Sequence, residues 1–381
     1  MKLYPRGIWI DGAMQGGLEV EFDQGQITGI QSSSHESEDY FLSPGFVNAH
    51  SHLEYRGLLG KIPSLDYWPW IRELTRKKSE QSLMQVSLDC MTAARENRAT
   101  GVKFIAEHSD RPYAAFAMQE AGLIGHIYQE LITFMEQKDA SSKWRDVRSK
   151  MELQKISEDI AVFLAPHAPY TVDRASLAFC VESSERLSIH VAETEYEDYF
   201  FMHGKGPISE LYHQFGFGVP EYGLGVVDYL KSIGLANKNT QWVHCCAVDD
   251  EGIDVIAENQ VSVAHCPRSN MNLECPEAPI RKMLDSGIKI GLGLDSAASS
   301  GAINMFAEMR AALEVGRIRS EELTPEEVWK MVCEGGAASL DVHNWSLANP
   351  NAGMLKIRSG AKNLGELIET ASPEDIEWMI G

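Results

Sequence analysis

Eight short apolar runs recur along this chain, and their spacing limits its possible folds more than any other feature. They occupy residues 41–49, 102–106, 123–131, 160–165, 187–192, 241–245, 261–265 and 288–294. Several are almost wholly apolar, as strands buried on both faces of a parallel sheet must be. Amphipathic stretches that read as helices lie between them, among them 83–99, 114–121, 174–186 and 304–315. Eight strand-then-helix units over roughly 250 residues predict an α/β chain closed as a distorted (β/α)8 barrel of the TIM type.

The flanks have a different texture. Residues 7–32 alternate apolar and polar positions between glycine turns, which predicts a small antiparallel sheet. A short strand at 353–357 is its expected partner. The barrel, 45–344, would then be an insertion in a split β-sandwich made of 1–44 and 345–381. With 44% hydrophobic and 23% charged residues among 381, the chain can bury such a core. Its formal net charge of -21, with no Lys/Arg-rich block, argues against nucleic acid or an anionic membrane as partner, because the field repels phosphates. No stretch approaches the roughly 18 apolar residues of a membrane span, and the N-terminus lacks a leader pattern, so a cytoplasmic protein is expected. Seven cysteines, odd in number and without a C-x-x-C pair, suit reduced thiols in that compartment.

In such a barrel the active site lies at the C-terminal ends of the strands. Those ends carry Asn48 to His52, Pro166 to Tyr170, His190 to Glu193, His244, His265 to Asn270, and Asp295-Ser296, and they hold six of the 12 histidines. His50 and His52 are two apart, so on an extended segment both face one side and can grip one ion. His190 and Asp295 add a third nitrogen and a carboxylate, a set suited to Zn2+ or Fe2+ with an open position for water. Glu193 lies three residues beyond His190, where it can reach that water as a general acid/base without being a ligand.

The motifs PGFVNAHSH (44–52), APHAPYT (165–171), HVAE (190–193), VHC (243–245), HCPRSNMNL (265–273) and GLGLDS (291–296) follow one another along the chain. In that order they resemble the amidohydrolase superfamily, and within it the mononuclear aminohydrolase branch of adenosylhomocysteine, guanine, chlorotriazine and aminodeoxyfutalosine enzymes. The resemblance spans residue 7 to about 345. It implies a barrel plus β-sandwich, with His50, His52, His190 and Asp295 as metal ligands, Glu193 as proton shuttle, and His244 polarising the attacked group or the water. Dinuclear relatives bridge two metals through a carboxylated lysine at the end of strand four. Residues 163–167 contain no lysine, so one divalent ion is expected, Zn2+ ahead of Fe2+.

The implied reaction is hydrolytic deamination of an amino-substituted heterocycle, such as a purine or nucleoside, with His244 and Asp295 orienting the water. Displacement of chloride or hydrolysis of a cyclic amide uses the same machinery. A silent binding barrel would lack a ligand or Glu193, and none is missing. Glu54, in HSHLEY, resembles the HLE of aminodeoxyfutalosine and related deaminases and is expected to accept hydrogen bonds from a sugar or ring. The long loop after strand one, with Tyr67, Trp68 and Trp70, either stacks on a flat heterocycle or packs onto the barrel. His167, Arg268, Asn270 and Ser296 are the other expected substrate contacts.

His108 is a further candidate for the pocket, and His265 is expected to support the loop after strand seven. His35, His126, His203, His213 and His343 read as surface or packing residues. Two departures stand out: Ser-Ala-Ala-Ser-Ser follows Asp295 where many relatives have Ser-Asn, and the segment after Gly353 is short, which points to a reduced sandwich. The expected partners are a small heterocyclic substrate and water, and the resemblance suggests a homodimer.

Overall fold

In the computed structural model, which describes residues 1–380 other than 24–25, 64–65 and 137, eight parallel strands form one sheet in chain order. They are β1 (Phe46–Ser51), β2 (Val102–Ser109), β3 (Ile124–Leu131), β4 (Ile160–Pro166), β5 (Leu187–Val191), β6 (Thr240–His244), β7 (Ser262–His265) and β8 (Ile290–Leu292). The sheet closes on itself beyond β8, where Asp295 bridges to Ser51. There the Asp295 N–H donates to the His50 carbonyl at 2.9 Å, and the His52 N–H donates to the Asp295 carbonyl at 3.3 Å. The barrel therefore closes at its catalytic end.

Small residues make that closure possible. A Cβ at Gly291 would lie 2.6 Å from the Ala49 Cβ, and one at Gly293 would lie 2.7 Å from the His50 Cβ. Only glycine lets the two backbones approach so closely. Buried Asn48 ties the seam: its Oδ1 accepts from the Leu294 N–H at 2.9 Å, and its Nδ2 donates to Asn97 Oδ1 at 2.9 Å on helix Leu83–Ala99. Val47, Phe104, Ala106, Tyr128 and Ala165 form a buried cluster contributed by β1 to β4. The outer helices start on side-chain caps, with Ser82, Asp173, Asp249 and Thr324 each accepting from N–H groups two or three residues on.

Two further sheets pack together at the side. One has the order Ile376–Ile380, Met354–Arg358, Glu38–Ser43, Pro5–Ile10, Ala13–Gln15, and the other joins Lys2–Leu3, Leu18–Asp23 and Gln26–Ser32. Leu3 and Val20 of the smaller sheet meet Ile8, Leu42 and Met354 of the larger in one buried cluster. No helix among the described residues is long and apolar enough to cross a membrane.

Several expectations need correction. The apolar run 41–49 is two strands, because Pro44 lacks an N–H and Gly45 passes so near Ala352 that a Cβ would lie 2.6 Å from its carbonyl oxygen. Residues 7–32 divide between both side sheets, and Pro5–Ile10 runs parallel to Glu38–Ser43, so they are not one antiparallel sheet. Alternation reports one-sided burial, not which neighbour supplies it. The expected loop around Trp68 is instead a helix, Tyr67–Glu80. The short C-terminus adds a second strand, Ile376–Ile380, that its mixed sequence does not announce.

Replacing Asn48 with Ala would leave the buried Leu294 N–H unpaired and cut the link to Asn97. We expect a loss of about 3 kcal/mol in unfolding free energy, read from urea denaturation. A loss below about 1 kcal/mol would show that the seam does not depend on it.

Candidate active site

The strand ends converge. His52 Nδ1 meets the His108 carbonyl at 3.0 Å, and His190 Nδ1 meets the His167 carbonyl at 2.7 Å. Each Nδ1 must carry the proton it donates, so each Nε2 presents a lone pair, and these two nitrogens face each other at 3.4 Å. Neither ring nitrogen of fully buried His50 makes a hydrogen bond among the described residues. Its Nε2 lies 3.5 Å from Asp295 Oδ1, and His52 Nε2 lies 3.9 Å from the same oxygen. The other carboxylate oxygen of Asp295 accepts from Ser269 at 2.5 Å and Ser299 at 3.1 Å, which fixes Oδ1 toward the imidazoles. Lone pairs gathered this closely without protons repel one another, and a cation between them removes the repulsion.

Protonation supports the same arrangement. Burial, with His190 adding to it, holds His50 well below the usual histidine range. His52 is likewise held low, and burial lowers His190 to about 4. Burial works against ionisation of Asp295, but His244, His52 and the Ser269 hydroxyl outweigh it and keep the carboxyl below its usual value. The histidines are thus neutral and Asp295 an anion. The donor atoms of His50, His52 and Asp295 lie within 4.8 Å of one another, as do those of His50, His190 and His244.

Beside this cluster, Glu193 Oε1 lies 3.5 Å from His244 Nε2. Asn270 Nδ2 donates to His244 Nδ1 at 3.0 Å, which places the imidazole proton on Nε2, toward Glu193. Burial, followed by the charge of Asp295, lifts Glu193 to about 8. The turn that carries it is held by Glu197, whose carboxylate accepts from the Ala192 and Glu193 N–H groups at 3.0 and 2.9 Å. Ala192, His244 and Asp295 all have left-handed backbone, with φ of 48°, 72° and 50°.

A half-open cleft of about 70 Å3 lies over these groups. Tyr67, Trp70, Ile71 and Leu74, spaced by three or four residues on helix Tyr67–Glu80, form its roof. His167 and Ser296 line it as expected, and Asn270 reaches it through His244.

Three predicted contacts lie elsewhere. Both oxygens of Glu54 are taken by the Asp110 and Arg111 N–H groups at 3.0 and 3.1 Å. Trp68 packs between Tyr67 and Tyr170 and borders a separate groove with Pro207 and Leu211. Two residues advance a helix by roughly 200°, so Trp70 faces the cleft and Trp68 does not. Arg268 donates to the Ala302 carbonyl at 2.9 Å, and its own N–H is held by Glu308. His108 packs on His50, with ring centroids 4.2 Å apart, and lies outside the cleft lining. His265 is buried, and its ring has no hydrogen-bond partner among the described residues. His126 packs between Phe104 and Phe163, and His35, His203, His213 and His343 are exposed.

One residue escaped the sequence reading. Glu130 is the last inward-facing position of β3 on the alternation His126, Tyr128, Glu130, and its carboxylate lies within 4.8 Å of ring nitrogens of His52 and His190. It is 4% exposed, and neither oxygen accepts a hydrogen bond from a described residue. Burial, opposed by Lys78, lifts it to about 8. The strand-end argument applied to strand three would have found it.

The sequence pattern of the amidohydrolase family matches residues 41–346. The chain belongs to this family. A 5'-deoxyadenosine deaminase of Methanothermobacter thermautotrophicus is 30% identical over 319 residues, which cover 79% of this amidohydrolase and 69% of that protein. A 5-methylthioadenosine/S-adenosylhomocysteine deaminase of Caldanaerobacter subterraneus subsp. tengcongensis is 28% identical over 322 residues, covering 80% and 69%. A crystal structure of an adenosine deaminase from Xanthomonas campestris with bound zinc has the same fold, with a TM-score of 0.83 at 20% identity over 98% of this chain and 90% of that one. The amidohydrolase is a hydrolase of carbon–nitrogen bonds, and the donor set at its mouth suits a divalent metal ion.

Glu308, which anchors Arg268, is buried and lifted to about 8 by that burial, against the pull of Arg268. The folded chain keeps a proton that the unfolded chain loses above about 4.5. The contribution to stability is therefore full below about 4.5 and is lost as pH rises through 8. Relative to the parent, Glu308→Gln should gain up to about 1.4 kcal/mol of unfolding free energy per pH unit between 5 and 8. Urea denaturation across that range checks it, and a flat difference would contradict it.

Proposed function

We propose that this chain hydrolytically removes the ring amine of an adenosine-type nucleoside altered at its 5' position, releasing ammonia. The observation that carries this reading is the Glu193–His244 pair, 3.5 Å apart, set against a cluster of neutral imidazoles and one carboxylate. The deaminase relatives, which act on 5'-deoxyadenosine, methylthioadenosine or adenosylhomocysteine, supply the substrate class. His50, His52, His190 and Asp295 would hold one divalent ion, Zn2+ ahead of Fe2+. Bound there, it would supply the Lewis acidity that brings the pKa of a water near neutrality.

The side chains then divide the work. Glu193, in its ionised form, takes a proton from the attacking water and delivers it to the ring nitrogen beside the attacked carbon. His244 directs its Nε2 proton at the same place, oriented by Asn270. Asp295 is held against rotation by Ser269 and Ser299, so its free oxygen keeps one direction. A second proton from the water goes to the amine, which leaves as ammonia. The cleft of about 70 Å3 is far below the roughly 300 Å3 of a typical ligand pocket. Helix Tyr67–Glu80, whose Tyr67, Trp70, Ile71 and Leu74 line the cleft, would have to shift to admit a nucleoside.

Ammonia release by zinc- or iron-loaded protein, assayed against 5'-deoxyadenosine, methylthioadenosine, adenosylhomocysteine, aminodeoxyfutalosine, guanine and an aminotriazine, tests the proposal. Release is expected from the 5'-altered adenosines, to be abolished by a chelator and restored by metal. Silence on all of them with metal bound would overturn it. Glu193→Gln should keep its metal and lose about 1,000-fold in kcat, and full activity in that variant would remove Glu193 from the mechanism.

A further inference from the structure

We propose that Glu130 recognises the sugar of the substrate, its carboxyl group exchanging hydrogen bonds with a pair of neighbouring hydroxyls. This rests on the nucleoside reading above and adds the residue that selects the sugar.

Buried carboxylates are almost always hydrogen-bonded, because an unpaired one forfeits its solvation. Glu130 is 4% exposed with both oxygens unpartnered among the described residues. Two of its polar neighbours bond to other groups. Lys78 Nζ donates to the Tyr55 hydroxyl at 2.8 Å and pairs with Asp110 at 3.2 Å. The Gln129 amide donates to the Ser109 carbonyl, and its oxygen accepts from Gln154 at 2.9 Å. Glu130 is therefore a buried carboxyl group at the mouth of the barrel without a hydrogen-bond partner among the described residues.

A second metal ion is the obvious rival occupant, since Glu130 lies within 4.8 Å of the ring nitrogens of His52 and His190. Each of those imidazoles has one lone pair to give, however, because the other nitrogen is spent on the carbonyls of His108 and His167. In the proposed centre both lone pairs go to the one ion shared with His50 and Asp295. An ion at Glu130 would have no nitrogen of its own.

The charge nearby selects among organic ligands. The cations nearby, Lys78, Lys150 and Arg111, all lie against Asp110, so none is left over to hold a phosphate or carboxylate, and neutral O–H groups suit Glu130 better. With the reacting ring held on the β5–β6 side by Glu193 and His244, the sugar needs acceptors elsewhere in the mouth. Two adjacent hydroxyls match the two oxygens of one carboxyl group. Glu130 does not line the cleft. Lys78 shares a helix with Trp70 and Leu74, so a shift of that helix to admit a nucleoside would also open the way to Glu130.

The test compares kcat/KM of the metal-loaded protein for 5'-deoxyadenosine and for its analogue lacking the 2' and 3' hydroxyls. The parent should favour the diol by about 100-fold, carried mainly by KM, as expected when a buried polar group is left unpaired. In Glu130→Gln the ratio should fall to within about threefold of unity with metal content per chain unchanged, and Glu130→Asp should give an intermediate ratio. A Gln variant that keeps the parent ratio, or a parent that does not discriminate, would overturn the inference. Loss of metal from the Gln variant would also overturn it by making Glu130 a ligand. If that variant does not fold, the parent ratio and the Asp variant decide. Failure of the metal-loaded parent to deaminate either nucleoside would instead overturn the function on which the inference rests.

Discussion

A barrel of eight parallel strands has two unpaired edges until its first and last strands meet. Here they meet where the Asp295 N–H reaches the His50 carbonyl and the His52 N–H reaches the Asp295 carbonyl. One pair of backbone hydrogen bonds thus closes the sheet and brings two imidazoles within reach of one carboxylate. The glycines of β8 and the side chain of Asn48 serve that contact. Changes that loosen the seam therefore act on the site and on the fold together.

The mouth stores strain in return for position. Ala192, His244 and Asp295 adopt left-handed backbone conformations, each costing about 1–3 kcal/mol for a residue with a Cβ. Such geometry persists only when the surroundings over-determine it. Glu197 does so for the Ala192–Glu193 turn through two backbone N–H groups, and Ser269 and Ser299 do so for Asp295. Burial then separates the protonation states: the histidines stay neutral, Asp295 stays ionised, and Glu193 sits near 8. The proposed metal-binding set and proton carrier come from the same few strand ends because their environments differ.

Much of this was legible in the sequence, for a physical reason. Strands buried on both faces leave continuous apolar runs, and polar residues at the ends of such runs have nowhere to face but the mouth. His50, His52, His190, His244, Glu193 and Asp295 follow from that argument, and the structure brings them together. What failed depends on direction or on distant partners. Trp68 and Trp70 are equivalent on a line but lie on different sides of a helix. Glu54 adjoins the H-x-H pair yet turns away to the backbone beyond β2, a contact fixed by tertiary packing. Pro44-Gly45 marks a turn, but that the chain there leaves one sheet for another depends on Ala352, some three hundred residues away in sequence.

The fold alone supports many chemistries, so the account stands on the donor cluster. The measurement that tests it most directly is the metal-edge X-ray absorption spectrum of the zinc-loaded protein. The account predicts three imidazole nitrogens and carboxylate oxygen around the ion, with no sulfur, because all seven cysteines are buried thiols and burial drives Cys266 away from thiolate. A sulfur neighbour, or fewer than two imidazoles, would contradict it.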